Sequence, residues 1–483
     1  MLRSSMCQER TYTQRCQKRK KVLMKLRGQF VDIMCEVNPE YIPYVVEEKG
    51  EKTLYLRVLQ AIYGCIESAL LWYKLFANTL QKMGFKVNPY DRCVANKMIR
   101  GKQCTIAWYV DDNKLSHVEE NVVTEILDKV KDHFGELVVS RGNEHTLLGM
   151  HITMNRKKKQ VEIQMMDQLN EAIALFGEDV DDKVTSPATK NIFSVNEECE
   201  QLNEAKSEIF HSVVAKLLFI MKRARPDLEP AISFLMKRVS KSDTDDWKKL
   251  KRCLGFIKRT IKDKRILGAD GLDTLYTWVD ASHAVHMNMR GHTGGIISMG
   301  KGMLHCKASG QKINTRSTTE SELIGVSEYL PYNIWYILFF GAQGYEIKQN
   351  ILFQDNESAI KMEINGRNSC TGNSRHIEIK HFWVKDRVDK KEIEVRYCPT
   401  RMMLADYFTK ALQGSLFRLF RDIIMGYTHI DTILLDPSHP LKESIKSTVK
   451  NRDVSGSKES EVTRGNRKNE SYAEVVKRGK KKI

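Results

Sequence analysis

At 483 residues the chain is longer than one compact domain usually is, so two or three domains are expected. Hydrophobic residues make up 41%, ordinary for a folded protein; no apolar run approaches the ~18 residues of a membrane-spanning helix, and the N-terminus lacks the apolar core of a secretion signal. The net charge of +17 sits mostly at the ends, +8 in residues 1–27 and +7 in residues 441–483, so the 413 residues between carry only +2 and overall basicity says little about their chemistry.

Residues 1–21 show no period and no apolar face. From 22 to about 153, short apolar runs alternate with helical patterns, best over 61–83, where Leu70, Trp72, Tyr73, Leu75, Phe76 and Leu80 are predicted to share an inner face. The run from Cys104 to His117 reads as two short strands joined by a tight turn at Asp111-Asp112-Asn113. Paired carboxylates at a hairpin tip are what a polymerase uses to hold Mg²⁺ against a nucleoside triphosphate, although Asp also favours turns for its own backbone reasons. The pattern loosens over 162–196. Helices are predicted over 208–223, with Val214, Leu217, Leu218 and Met221 inward, over 229–239, and over 245–261 behind a Ser242/Asp243 cap; Pro226 and Pro230 mark the first break. Eleven scattered cysteines, never spaced Cys-x-x-Cys, argue for an intracellular, reducing setting, cytoplasmic and/or nuclear.

A different composition begins near Asp270. Strands are predicted over 274–279, 294–299, 303–307, 350–353 and 393–397, with a long helix over 319–342 and a shorter one over 377–388, the alternation of an α/β or α+β domain. After 436 the chain is polar and charged and ends in Lys477-Arg-Gly-Lys-Lys-Lys482. It reads as a disordered basic tail: a nuclear-import address, a nucleic-acid arm, or simply a solvated end.

Acids stand where the elements of this last domain end. Asp280 and Asp355 close strands, Asp406 opens a helix, and Glu320 and Glu322 lie on the first turns of the long helix. Acids closing neighbouring strands converge on one sheet edge, where their repulsion raises their pKa values unless divalent cations fill the site. Each acid alone also fits a helix cap or a solvated strand end. Residues two apart on a helix diverge by about 200°, so only one glutamate faces the sheet. Ser317-Thr-Thr-Glu320 matches a capping box, which occupies Glu320 and leaves Glu322 as the better metal ligand.

Taken together, the blocks Ile62-Tyr-Gly-Cys-Ile-Glu67, Tyr109-Val-Asp-Asp112, Leu147-Leu-Gly-Met150, Lys216-Leu-Leu-Phe with Arg225-Pro-Asp227, Trp278-Val-Asp-Ala-Ser282, Ser317-Thr-Thr-Glu-Ser-Glu322, Gln354-Asp-Asn-Glu-Ser-Ala359, Arg375-His-Ile-Glu-Ile379 and Ala405-Asp-Tyr-Phe-Thr-Lys410 occur in order. From about 22 to 426 the chain resembles the C-terminal portion of copia-type retrotransposon polyproteins: a reverse transcriptase part followed by ribonuclease H. The resemblance implies an α+β / α/β multidomain chain. Its expected parts are a basic N-terminus foreign to the family (1–21), a partial reverse transcriptase palm (22–155), a helical thumb or connection (156–268), a ribonuclease H-like mixed five-stranded sheet with helices (270–428) and the basic tail (436–483).

By resemblance, Asp280, Glu322, Asp355 and Asp406 hold two Mg²⁺ ions, or Mn²⁺, at the RNA strand of an RNA–DNA hybrid; one ion activates water and the other stabilises the departing 3′ oxygen. Asp111 and Asp112 are the polymerase metal ligands, with Tyr109, Glu67 and His376 near substrate and deoxynucleoside triphosphates, DNA, RNA and other polyprotein products as partners. His376 either shuttles a proton or orients the helix after Glu378. The polymerase half departs from the family pattern twice. The third catalytic aspartate is expected upstream of 22, where residues 1–21 contain none, and Asp32 follows the segment that should come after it. Family members commonly carry glutamine at the position of Glu67, where a glutamate adds negative charge beside a triphosphate. The expectation is therefore a decayed or mis-started copy that retains RNA hydrolysis rather than DNA synthesis, with a non-catalytic nucleic-acid-binding remnant as the alternative.

Overall fold

The computed structural model describes residues 2–3, 23–58, 66–110, 112–369 and 376–435, with the backbone alone at 2, 3, 66 and 67. The chain divides into two compact units, Met1–Gly142 and Asn143–Ile483.

In the first unit, β1 (Leu2–Arg3), β5 (Lys86–Val87), β6 (Val94–Ile99), β7 (Lys102–Tyr109), β8 (Asp112–Ser116) and β9 (Val138–Val139) form an antiparallel sheet in the order β5-β6-β7-β8-β1-β9. A separate sheet, β2-β4-β3, is built from Leu23–Arg27, Glu51–Arg57 and Val45–Glu48. Helix α1 (Gln29–Val37) precedes this sheet's second strand, and α2 (Ile66–Lys82) and α3 (Glu120–Phe134) supply the main core. Trp72, Phe76 and Leu80 of α2 pack with Ile126, Val130 and Phe134 of α3 on Ile106 and Trp108 of β7. The i, i+4 spacing of both sets is what gives each helix one buried stripe. Leu70 is the exception to the predicted face: it is 51% exposed, because Trp72 and Phe76 define a stripe that Leu70 misses.

The second unit begins with a five-stranded antiparallel sheet, β10-β11-β12-β13-β16: Glu144–Leu147, Met150–Asn155, Gln160–Gln164, Arg265–Ala269 and Gly300–Lys301. Between β12 and β13 run α4 (Met166–Phe176), α5 (Glu204–Met221), α6 (Glu229–Arg238) and α7 (Thr244–Arg259). The cap of α7 is reciprocal: Asp243 accepts from the Asp246 amide at 2.8 Å and Asp246 accepts from the Asp243 amide at 3.2 Å. Strands therefore flank the segment expected to be helical, and α4 lies in the stretch expected to be loose.

The remaining strands, β14 (Thr274–Ser282), β15 (His292–Ser298), β17 (Met303–Gly310), β18 (Gln349–Gln354) and β19 (Glu394–Tyr397), form a mixed sheet in the order β17-β15-β14-β18-β19. Its first two pairings are antiparallel and its last two parallel. Helices α8 (Thr318–Ala342), α9 (Glu357–Asn365), α10 (Trp383–Asp389), α11 (Asp406–Thr409), α12 (Gly414–Met425) and α13 (Asp431–Leu434) complete it. One continuous core joins Phe210, Leu217, Ile232 and Leu254 of the helical part to Trp278, Phe353, Phe408 and Phe420 of the mixed sheet and its helices.

Two glycines set how closely helices approach this sheet. A Cβ on Gly294 would lie 2.8 Å from Phe408 and 2.9 Å from the Ala405 carbonyl; a Cβ on Gly295 would lie 2.2 Å from the Tyr329 ring. Consecutive strand residues face opposite sides. Bare backbone at these two positions thus admits α11 on one face and α8 on the other.

Candidate active site

The parallel pairing of β14 with β18 sets Trp278 opposite Phe353, so two residues further on Asp280 and Asp355 leave the same sheet edge side by side. On its other side Asp280 pairs with Gly294, which has no side chain to intrude. From above, α8 contributes Glu322. Oxygens of Asp280, Glu322 and Asp355 all lie within 4.8 Å of one another, the one such group of three metal-binding side chains among the described residues.

Helix geometry separates the two glutamates. Ser317 caps α8 by accepting from the Glu320 amide at 3.2 Å. The Glu320 carboxylate turns back past the cap to accept from the Arg316 amide at 2.8 Å, one residue earlier than a capping box requires, and its other oxygen lies 2.9 Å from His376 Nε2. His376 thus faces Glu320 at the start of α8. Glu322 takes a hydrogen bond from Gln354 Nε2 at 3.3 Å and another from the Ala281 amide. Gln354 is itself fixed, its carbonyl accepting from the Asp355 and Asn356 amides at 2.8 and 3.0 Å. Asp355 accepts from Thr400 Oγ1 at 2.9 Å.

Asp406 opens α11 beside this group. Its Oδ1 is 2.7 Å from Lys410 Nζ, whose distance to Asp280 Oδ2 is 3.9 Å, and Thr409 Oγ1 donates to Asp280 Oδ2. Burial first, then the neighbouring Asp280 and Asp355, hold the Glu322 carboxyl well above the usual range; burial and Asp280 push Asp406 up to about 8. Asp355 is raised by the same two causes. Buried acids that repel one another are a set that a divalent cation relieves, and their hard oxygen donors suit Mg²⁺ or Mn²⁺.

No protein-family model matches the chain. It is 22% identical over 388 residues to the retrovirus-related Pol polyprotein from transposon TNT 1-94 of Nicotiana tabacum, spanning 79% of this chain and 29% of that protein. It is 23% identical over 391 residues to the transposon TyH3 Gag-Pol polyprotein of Saccharomyces cerevisiae, spanning 77% of this chain and 22% of that protein. Its homologues are transposon Pol and Gag-Pol polyproteins. The chain spans less than a third of the length of these relatives. Among solved structures, the prototype foamy virus protease–reverse transcriptase matches over 78% of this chain and 43% of that one, at 14% identity and a TM-score of 0.22.

Of the sequence blocks described above, the one at Arg225-Pro-Asp227 is architectural. Asp227, fully buried, accepts from Arg225 at 2.8 and 2.9 Å and from Arg421 Nε at 2.9 Å, tying the start of α6 to α12. The two guanidinium groups hold its carboxyl down at about 2 against the cost of burial. Tyr407 completes the joint, donating to the Asp227 carbonyl at 2.9 Å.

The hairpin block of the first unit differs from its expected turn. Tyr109 pairs with Asp112, so Asp112 and Asn113 belong to β8 rather than to the turn, and Val110 is the turn residue the structure describes. A two-residue hairpin demands positive φ, which Val110 adopts at 50° at a cost of about 1–2 kcal/mol for a residue with a Cβ. Trp72 Nε1 donates to the Val110 carbonyl at 2.8 Å and holds it there. Tyr109 is 60% exposed. Asp111 lies outside the described residues, as does the Glu67 side chain, although Glu67 falls in α2. Asp32 sits on α1 and pairs with Lys52 at 2.7 Å.

Sequence reasoning singled out neither Thr400, Thr409 and Lys410 nor Gln354. For Thr409 and Lys410 the signal was available: they follow Asp406 by three and four residues, one helical turn. Glu363 of α9 was also missed. It is fully buried beside Gln354, and burial pushes its carboxyl up to about 8. Between the ordinary carboxylate range and about 8, the folded protein keeps a proton that the unfolded chain releases. Stability from this position therefore falls as pH rises through that window and levels off above it. Glu363→Gln is expected to remove the slope and to stabilise the protein by about 2 kcal/mol at pH 8, with little effect at pH 4. Urea midpoints measured at the two pH values check this.

Proposed function

We propose that this chain is the reverse transcriptase/ribonuclease H-type region of a retrotransposon Pol polyprotein and that its retained chemistry is metal-dependent hydrolysis of RNA in RNA–DNA hybrids. The single observation that carries this is the gathering of Asp280, Glu322 and Asp355 from three separate elements within 4.8 Å, with Asp406 beside them. Asp280, Glu322, Asp355 and Asp406 would hold Mg²⁺, or Mn²⁺, which when bound supplies a more acidic water and charge stabilisation for the leaving oxygen. Gln354, Thr400 and Thr409 orient the carboxylates. Glu320 anchors the start of α8 and positions His376 at the rim, where a half-exposed imidazole can take up or release a proton.

Hydrolysis is placed ahead of DNA synthesis because the acids that would carry it, Asp280, Glu322 and Asp355, gather at one place in the described structure. Deoxynucleoside triphosphates as substrates, DNA and RNA as partners, and a cytoplasmic or nuclear setting belong to the same reading. Among the described residues no helix is long and apolar enough to cross a membrane.

The test is cleavage of a labelled RNA strand in an RNA–DNA hybrid by the whole chain. Cleavage is expected with Mg²⁺ or Mn²⁺, none with a chelator, and none from Asp355→Asn. A wild-type protein that leaves the hybrid intact, or an Asp355→Asn protein that cuts as well as wild type, overturns the proposal. The second reading, metal-independent binding, is favoured by the charge of +15 in the terminal segments 1–27 and 441–483 combined. It predicts hybrid retention that falls steeply with salt and ignores chelators.

A further inference from the structure

The four acids fall into two unequal groups. Asp280, Glu322 and Asp355 face one another within 4.8 Å, whereas Asp406 lies outside that group and already has a cation. Lys410 Nζ is 2.7 Å from Asp406 Oδ1 and 3.9 Å from Asp280 Oδ2, and Thr409 takes up the same Asp280 oxygen. Asp280 is therefore shared: one side opens to Glu322 and Asp355, the other to Thr409, Lys410 and Asp406.

We propose that Lys410 is a positioning residue that holds the place of the second metal ion. This rests on the hydrolase reading above. The first ion enters at Asp280, Glu322 and Asp355 with Lys410 undisturbed. A second ion between Asp280 and Asp406 enters only when the ammonium leaves. Lys410 can leave: its side chain is 45% exposed, and lysine is a compact point charge on a flexible stem, unlike the planar, bidentate arginine. Without a metal, the ammonium screens Asp280 from Asp406 and keeps the two acids at their spacing. With one metal, it leaves the site short of its second ion until a polyanion competes for the lysine. Loading of the two ions is consequently unequal and coupled to nucleic acid.

The experiment is a Mn²⁺ titration of the whole chain without nucleic acid, followed by electron paramagnetic resonance, which distinguishes one bound ion from a coupled pair. Wild type is expected to bind one ion, and a second roughly 10-fold or more weaker, the scale on which outer-shell partners move metal affinity. In Lys410→Gln the second affinity rises by about that factor and the coupled signal appears at lower Mn²⁺, while the first affinity changes little. Lys410→Arg, which keeps the charge, retains the weak second site and guards against a folding artefact in the glutamine variant. If Lys410→Gln and wild type bind the second ion equally, the role of Lys410 is refuted while the hydrolase reading stands. If Asp355→Asn binds the first ion as tightly as wild type, the hydrolase reading itself fails.

Discussion

Asp280→Asn is expected to lose hybrid cleavage by more than the roughly 10–100-fold that removal of an outer-shell partner costs, because Asp280 stands between the two halves of the site. Its neighbours on one side are Glu322 and Asp355; on the other are Thr409 and Lys410. The same substitution is expected to stabilise the metal-free protein. Asp280 is the charged neighbour that does most to raise Glu322, Asp355 and Asp406. Acids raised in the folded state destabilise it as pH climbs from the ordinary carboxylate range toward about 8, since the unfolded chain gives up those protons first. Neutralising Asp280 shortens that window and should add about 1 kcal/mol at neutral pH, one pKa unit's worth of relief. Cleavage kinetics and urea unfolding on the same preparation decide the matter. Cleavage within tenfold of wild type, or a loss of stability, would count against the shared-ligand arrangement.

Asp227→Asn should do the opposite: leave the acids in place and weaken the fold. Breaking a buried ion pair by removing one partner costs about 3–5 kcal/mol, because the remaining charge stays buried without compensation. Here the orphan is Arg225, fully buried, with Thr260 as its other contact at 2.8 and 3.2 Å. Arg421 keeps Asp263, so most of the loss falls at Arg225. The pH sign is reversed from that of the acidic site. A carboxyl held at about 2 contributes its stability above the ordinary carboxylate range and loses it as pH falls toward 2. The variant should accordingly show a lower urea midpoint at neutral pH and converge with wild type in acid. An unchanged midpoint would mean that α6 and α12 are held by packing alone.

These two aspartates also show what a sequence can and cannot disclose. Asp280 and Asp355 were legible because each closes an apolar run, and a parallel pairing in register brings such ends together. Glu322 was separable from Glu320 by helical angle alone, since a capping serine three residues before Glu320 gives that carboxylate a structural partner. Asp227 was legible only as part of a block: that it would be buried between Arg225 and Arg421 depends on a partner nearly two hundred positions away. The turn at Val110 was obscured because propensity assigns turns to aspartate and asparagine, whereas the strand pairing puts Asp112 and Asn113 in β8 and a valine at positive φ. Leu70 was misplaced because apolar residues crowd several faces of α2, and packing against Trp108 and Phe134 chose among them.

Gly294 and Gly295 have a bearing on synthesis of the protein. Both helices that close on this strand follow it in sequence, and the acids extend from position 280 to position 406. Until the ribosome has released the segment that carries Asp406 and Lys410, one face of β15 has no covering helix. Non-local and parallel pairings are also the slow ones to form. The repulsive charge is therefore brought together late, after most of the core that holds it exists. A nascent chain halted before that point would present the bare Gly294 and an uncovered sheet face, a surface suited to chaperone capture.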